Sequence, residues 1–193
     1  MTAQYLASVI NLKHELVKSG LDHDFLISWN ESLITRGRDK MARTFLKDTQ
    51  FERMLFIDSD IQFSPEDVAK LWNLDADIGV GAYRNKKADQ IKGAWVNGKL
   101  VPLESLKGPT EVDYAGTGFM CIKRQVFDKL AELHPQWEHE ENEGKLFAFF
   151  QDPIEDGIHL SEDYFFVKRA KEAGFKCTLD PTINLTHWGQ YGY

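Results

Sequence analysis

Short, wholly uncharged apolar runs alternate with amphipathic stretches along this chain, and that alternation restricts the fold more than any other feature. Met54 to Ile57, Ile78 to Tyr83 and Phe119 to Ile122 span four to six residues each, the length and content of strands buried on both faces. Around them lie helical patterns. Thr2 to Ser19 carries Leu6, Val9, Ile10, Lys13, Leu16 and Val17 at helical spacing and stops at Gly20, a residue suited to the left-handed turn after a helix. After the short apolar run Phe25 to Trp29, a second stripe of Ile34, Met41, Ala42, Phe45 and Leu46 ends near Asp48. Ser64-Pro65-Glu66-Asp67 combines a capping serine, a first-turn proline and an acid three residues on, so a helix starts there and is expected to bury Val68, Leu71 and Trp72. Val126, Phe127 and Leu130 mark a fourth helix, and Ser161 is expected to cap a fifth that runs to Gly174, with Phe165, Phe166, Val167, Ala170 and Ala173 available for packing. Pro135 to Gly144 is acidic and polar and reads as a surface loop. Cys177 to Leu179 is a late strand, followed by the turn Asp180-Pro181.

Strands alternating with helices predict an α/β fold with a single mixed, mostly parallel sheet flanked by helices. No internal repeat or linker interrupts the 193 residues, so one domain over residues 1–193 is expected. The formal charge of −7 argues against nucleic acid as a partner. No apolar run approaches the roughly 20 residues of a membrane span, and no signal-peptide pattern opens the chain, so a soluble, cytoplasmic protein is expected. Cys121 and Cys177 lack CxxC spacing, which disfavours a disulfide scaffold and a thiolate zinc cluster.

In such sheets, ligands gather at the carboxyl ends of strands. Three Asp-x-Asp triplets occur among the 16 aspartates, and chance alone supplies about one, so spelling decides nothing. Position does. Only Asp58 and Asp60 directly follow an apolar strand, and residues two apart on extended backbone point the same way, so both carboxylates could meet one hard cation that neutralises a diphosphate. Alternatively they simply open a loop. Arg36 and Arg38 sit at the start of a helix, where cations oppose the helix dipole. Either a nearby anion resolves that conflict, or they join Lys40, Arg43 and Lys47 in a solvated basic face. Glu162 and Asp163 suit a helix N-terminus, and an acid there can also serve as a general base. His187, in the tail, offers an imidazole suited to manganese, although a lone histidine is more often structural. Gly116-Thr117-Gly118 permits close backbone approach to a ligand, or a bulge. Walker A, HExxH, GxSxG and complete GxGxxG patterns are absent from the sequence.

Taken in order, Thr35-Arg36-Gly37-Arg38, Leu55 to Phe63, Gly79 to Tyr83, Ala115 to Phe119, Ser161 to Phe166 and His187-Trp188-Gly189 resemble small GT-A glycosyltransferases, nearest to those of large algal viruses such as the chlorella viruses and of phages. The likeness covers about Thr35 to Gly189. It implies the GT-A fold and a glycosyltransferase of the hexosyltransferase class, using Mn²⁺ or Mg²⁺ to move a sugar from a nucleoside-diphosphate sugar, UDP-sugar favoured, to a glycan or glycoprotein. By the same resemblance Asp60 and His187 are metal ligands, and Asp58 meets the metal shell or the ribose. Arg36 and Arg38 face the nucleotide, Gly116, Thr117 and Gly118 lie near the donor sugar, and Asp163 with Glu162 holds the catalytic position. The family's first strand precedes the helix that here opens at Thr2, so the expected domain starts without it. Sugar and acceptor choice is expected to depend on loops such as Lys86 to Ile91 and Pro135 to Gly144. Two rivals remain: a phosphohydrolase of the haloacid dehalogenase type, which also places Asp-x-Asp after a strand but usually continues differently from Ile61-Gln62-Phe63, and a non-catalytic sugar-nucleotide-binding module.

Overall fold

The structure, a computed structural model, describes residues 1–83, 93–133, 135–138 and 145–189. The chain divides into two compact units, Met1–His23 with Leu55–Ile122 and Lys176–Tyr193, and Asp24–Met54 with Lys123–Phe175. Each is built from elements whose ends follow local sequence rules.

In the first unit, α1 (Ala3–Lys18) starts at Thr2, whose side chain accepts from Tyr5 N, and ends before Gly20 at φ +65°. Its inward face is buried Ser8 and Leu12 with half-buried Tyr5, Val9 and Leu16, whereas Leu6, Ile10 and Val17 of the expected stripe are exposed. Burial of Ser8 is explained by its hydroxyl, which accepts the Phe63 N–H at 3.1 Å. The chain later forms β1 (Arg53–Ile57), β2 (Ile61–Gln62), α3 (Pro65–Asn73), β3 (Ile78–Gly81), β4 (Gly93–Val96), β5 (Lys99–Pro102), β6 (Thr110–Glu111), β7 (Phe119–Lys123), β12 (Cys177–Asp180) and β13 (Thr186–His187). The capping box at α3 is complete: Ser64 Oγ accepts from Asp67 N at 3.2 Å and Asp67 Oδ2 from Ser64 N at 2.9 Å. Trp72, expected inside, is 47% exposed, because it stands one residue, about 100° of helix, beyond buried Leu71.

Five strands form the central sheet in the order β1-β7-β3-β12-β6. It is mixed: β12 runs parallel to β3, with Cys177 opposite Ile78, while β7 is antiparallel to β3 and β6 antiparallel to β12. Fully buried Ile78, Phe119, Met120 and Ile122 fill its interior. Of the loops expected to set specificity, residues 84–92 and 139–144 lie outside the described residues.

In the second unit, α2 (Ile34–Asp48), α4 (Arg124–Leu133) and α5 (Glu162–Glu172) accompany two hairpins, β8 (Gln136–Glu138) with β9 (Lys145–Phe147) and β10 (Ile154–Glu155) with β11 (Ile158–His159). The first hairpin occupies the described flanks of the expected acidic loop. Phe127 packs against Phe45, Phe149 and Phe166 at centroid distances of 5.9, 5.3 and 5.6 Å, and Phe150 stacks on Phe166 at 4.6 Å. Such edge and offset contacts add to simple burial. Arg124 closes the C-terminal end of α2: its guanidinium donates to the carbonyls of Phe45, Leu46, Thr49 and Phe51 at 2.8–3.2 Å and lies 4.4 Å over the Phe45 ring. Carbonyls left without partners by the helix end are thereby satisfied.

Asp39, only 3% exposed, accepts the backbone N–H groups of both Phe149 and Phe150 at 3.0 Å. Asp39→Ala strands two buried donors, and its expected destabilisation is about 3 kcal/mol, read as a lower urea midpoint at unchanged slope.

Candidate functional site

At the end of β1, Asp58 donates its N–H to Gly118 O at 2.9 Å, and its own carbonyl accepts from Ile61 N at 3.0 Å. The acidic pair therefore lies in a tight turn. This corrects the expectation of extended backbone there; the Asp58 carboxylate borders Gly118, and Asp60 faces His187. Antiparallel pairing of β13 with β2 sets His187 opposite Ile61, and His187 Nε2 lies 3.4 Å from Asp60 Oδ2. Trp188 reinforces the junction, donating N–H to Asp60 O and indole Nε1–H to Gln62 Oε1, both at 2.8 Å.

A Cβ on Gly118 would fall 2.7 Å from Tyr83 Cζ and 3.0 Å from Asp58 Oδ2, so only glycine fits there without displacement. Gly116 is half-buried, and Thr117 is 1% exposed with a hydroxyl that has no hydrogen-bond partner among the described residues. Tyr5, on the first turn of α1, has its phenol pKa raised first by burial and then by the charge of Asp58, and Thr2 N donates to Ser59 O at 3.0 Å.

A carboxylate suits Mn²⁺ or Mg²⁺, and an imidazole beside it is a ligand for a divalent transition metal such as Mn²⁺ rather than for Mg²⁺. Among the described residues no three His, Cys, Asp or Glu side chains converge to hold a metal ion. The side chains that could hold a cation here are Asp60 and His187, which leaves most of its shell to water or a ligand's oxygens.

The remaining predicted residues belong to the second unit, where the anions facing both arginines are carboxylates of the chain itself. Glu31 Oε2 accepts from Arg36 Nε at 2.8 Å, its Oε1 accepts from Arg36 Nη2 at 2.6 Å, and Lys40 Nζ lies 3.5 Å away. Arg38, with an 8% exposed side chain, is paired with Glu162 and lies 5.9 Å over the Phe150 ring. Asp163 Oδ1 accepts from Tyr164 N at 2.8 Å and from the Ser161 hydroxyl. Ser161 occupies the cap position of α5 yet makes no side-chain bond to the helix backbone, since its hydroxyl is given to Asp163. Arg38 and Glu162 are thus brought together, as are Asp60 and His187. Tyr5 and Glu31 carry interactions that no motif flagged; Tyr83 closes the Gly79 to Tyr83 motif, where no role was assigned to it, and its one physical signal was a polar-tipped aromatic just beyond a strand end.

No protein-family model matches the sequence, and a search of curated proteins finds no match. Solved structures do resemble it. A197 from STIV is similar over 94% of this chain and 78% of its own, with a TM-score of 0.54 at 18% identity. GalNAc-T7, solved with UDP, GalNAc and Mn²⁺, is similar over 96% of this chain with a TM-score of 0.52 at 16% identity. This chain spans 36% of that enzyme's length. The fold is accordingly of the GT-A type, a mixed sheet with helices. Among the described residues no helix is long and apolar enough to cross a membrane.

Hydrogen bonds from Arg36 lower the Glu31 carboxyl from an ordinary 4.5 to about 2, aided by the Leu33 N–H and opposed by burial. The folded value lies below the unfolded one, so this stabilisation is complete above pH 4.5 and fades as pH falls toward 2. Glu31→Gln is expected to lower Tm at neutral pH, with the gap to wild type closing across that window in a series of thermal melts.

Proposed function

We propose that the chain is a metal-dependent glycosyltransferase, a single domain that moves a sugar from a nucleoside-diphosphate sugar, UDP-sugar favoured, to a glycan or glycoprotein acceptor. The observation that carries this reading is the β13–β2 pairing, which sets an imidazole 3.4 Å from the second acid of a strand-end pair on a GT-A-type fold. The UDP and Mn²⁺ in the GalNAc-T7 structure add support. Asp60 and His187 hold the cation, and Asp58 meets its shell or the ribose. Mn²⁺ or Mg²⁺ bound there supplies charge neutralisation for the departing diphosphate.

Gly116, Thr117 and Gly118 are proposed to form the donor-sugar wall. Arg36 and Arg38 are proposed to meet the nucleotide and its phosphates, for which each must loosen its present bond to Glu31 or Glu162. Asp163 is the proposed base for the incoming hydroxyl, with Glu162 beside it in sequence. The Ser161 hydroxyl and the Tyr164 N–H orient its Oδ1, leaving Oδ2 as the natural proton acceptor.

Incubation with a panel of UDP- and GDP-sugars and Mn²⁺ should release nucleoside diphosphate, and chelation should stop it. Phosphate release from sugar phosphates with no nucleotide turnover would instead establish a phosphohydrolase. Asp60→Ala is expected to cut release by about 100-fold or more. Asp163→Asn is expected to slow transfer by about 10²–10⁴-fold while nucleotide binding, followed by calorimetry, persists; unchanged transfer removes it as the base.

A further inference from the structure

One aromatic side chain touches both halves of the Asp58 to His187 cluster. Tyr83 lies two residues beyond β3, in the same compact unit as both acids and His187. Its ring meets the His187 ring edge-on, with centroids 5.2 Å apart and planes at 74°. Its hydroxyl oxygen accepts the Gly118 N–H at 3.1 Å. Gly118 is also the residue whose carbonyl takes the Asp58 N–H, and the Asp58 carboxylate borders the space at its Cα. The peptide at Gly118 is therefore held from one side by the first acid and from the other by the tyrosine.

We propose that Tyr83 is a positioning residue for the cation site. Its ring sets the angle from which His187 Nε2 meets Asp60, and its hydroxyl ties that ring to the Gly118–Asp58 junction, so the two sides of the site keep one spacing. An imidazole on a two-residue strand has few backbone restraints, and metal-binding imidazoles depend on neighbours that fix ring orientation. An aromatic edge does this by contact. The absence of a side chain at Gly118 follows from the same arrangement, because the tyrosine tip fills the volume a Cβ would need. This inference rests on the cation reading of Asp60 and His187 given above, and the test separates the two.

Mn²⁺ binding to the full chain is measured without any sugar nucleotide, from the free-ion electron paramagnetic resonance signal, with thermal melts run on every variant. Wild type is expected to bind and Asp60→Ala to lose binding. Tyr83→Phe keeps the ring on His187 but removes the acceptor for Gly118 N–H, and is expected to weaken Mn²⁺ by about 3–10-fold with Tm nearly unchanged. Tyr83→Leu removes both contacts, with an expected loss of about 10–100-fold, the range for groups that orient metal ligands. In the metal-free protein, the His187 ring resonances should move in Tyr83→Leu and stay near their wild-type positions in Tyr83→Phe, a difference that a general loss of stability does not produce. Wild-type Mn²⁺ affinity in a folded Tyr83→Phe overturns the positioning role and leaves the cation reading intact, and that variant decides the matter even if Tyr83→Leu does not fold. Failure of wild type to bind Mn²⁺, or undiminished binding by Asp60→Ala, overturns the cation reading and this inference with it.

Discussion

A ladder of two residue pairs, Thr186 with Gln62 and His187 with Ile61, is the constraint on which the candidate site depends. It joins segments more than 120 residues apart, as the 126-residue separation of Trp188 and Gln62 shows, and so short a ladder cannot offset that loop closure by its own hydrogen bonds. Its neighbours supply the rest. Ile61 is wholly buried and Leu185 nearly so, Trp188 bonds to Asp60 and Gln62, and Asp67 Oδ1 accepts from Asn184 N at 2.9 Å. The acid that completes the α3 capping box thus also anchors the segment that delivers His187. Helix start, tail path and the placement of His187 are linked through Asp67.

Charge in the second unit is organised by pairing. A chain of net charge −7 nonetheless buries Arg38 and Asp39 side by side on α2, which is tolerable only because each has partners. Glu162 meets the arginine, and two consecutive backbone N–H groups meet the aspartate. Through these contacts α2 holds the start of α5 and the Phe149-Phe150 segment. Phe150 in turn stacks on Phe166 of α5. Asp163 is the residue immediately after the acid clamped by Arg38 in a partly buried ion pair. Carboxylates of the chain itself thus occupy the guanidinium groups of Arg36 and Arg38.

Features that depend on neighbours within a turn or two are legible in the amino-acid order. The capping box at Ser64, the glycine after α1, the strand from Met54 to Ile57 and the acid pair at its end all follow from local sterics and hydrogen bonding. The face a helix buries is less legible. On α1 and α3 the apolar residues cover a wider arc than the packed face, so Leu6, Ile10 and Trp72 satisfy the periodicity and still meet solvent. Extended geometry does not carry through Asp58-Ser59-Asp60 either, because Ile61 N–H and Asp58 O close a turn there.

The sequence by itself determined which residues end strands, which begin helices and which side chains could bear metal or proton chemistry, since those properties belong to single residues and their near neighbours. Tertiary structure alone decided that β7 lies between β1 and β3, that Arg38 faces Glu162, that His187 reaches Asp60 and that Tyr83 braces both His187 and Gly118. Each of these joins residues at least 35 positions apart. Their pairing is set by the cooperative filling of a shared core, where burial and satisfied polar groups must agree at once.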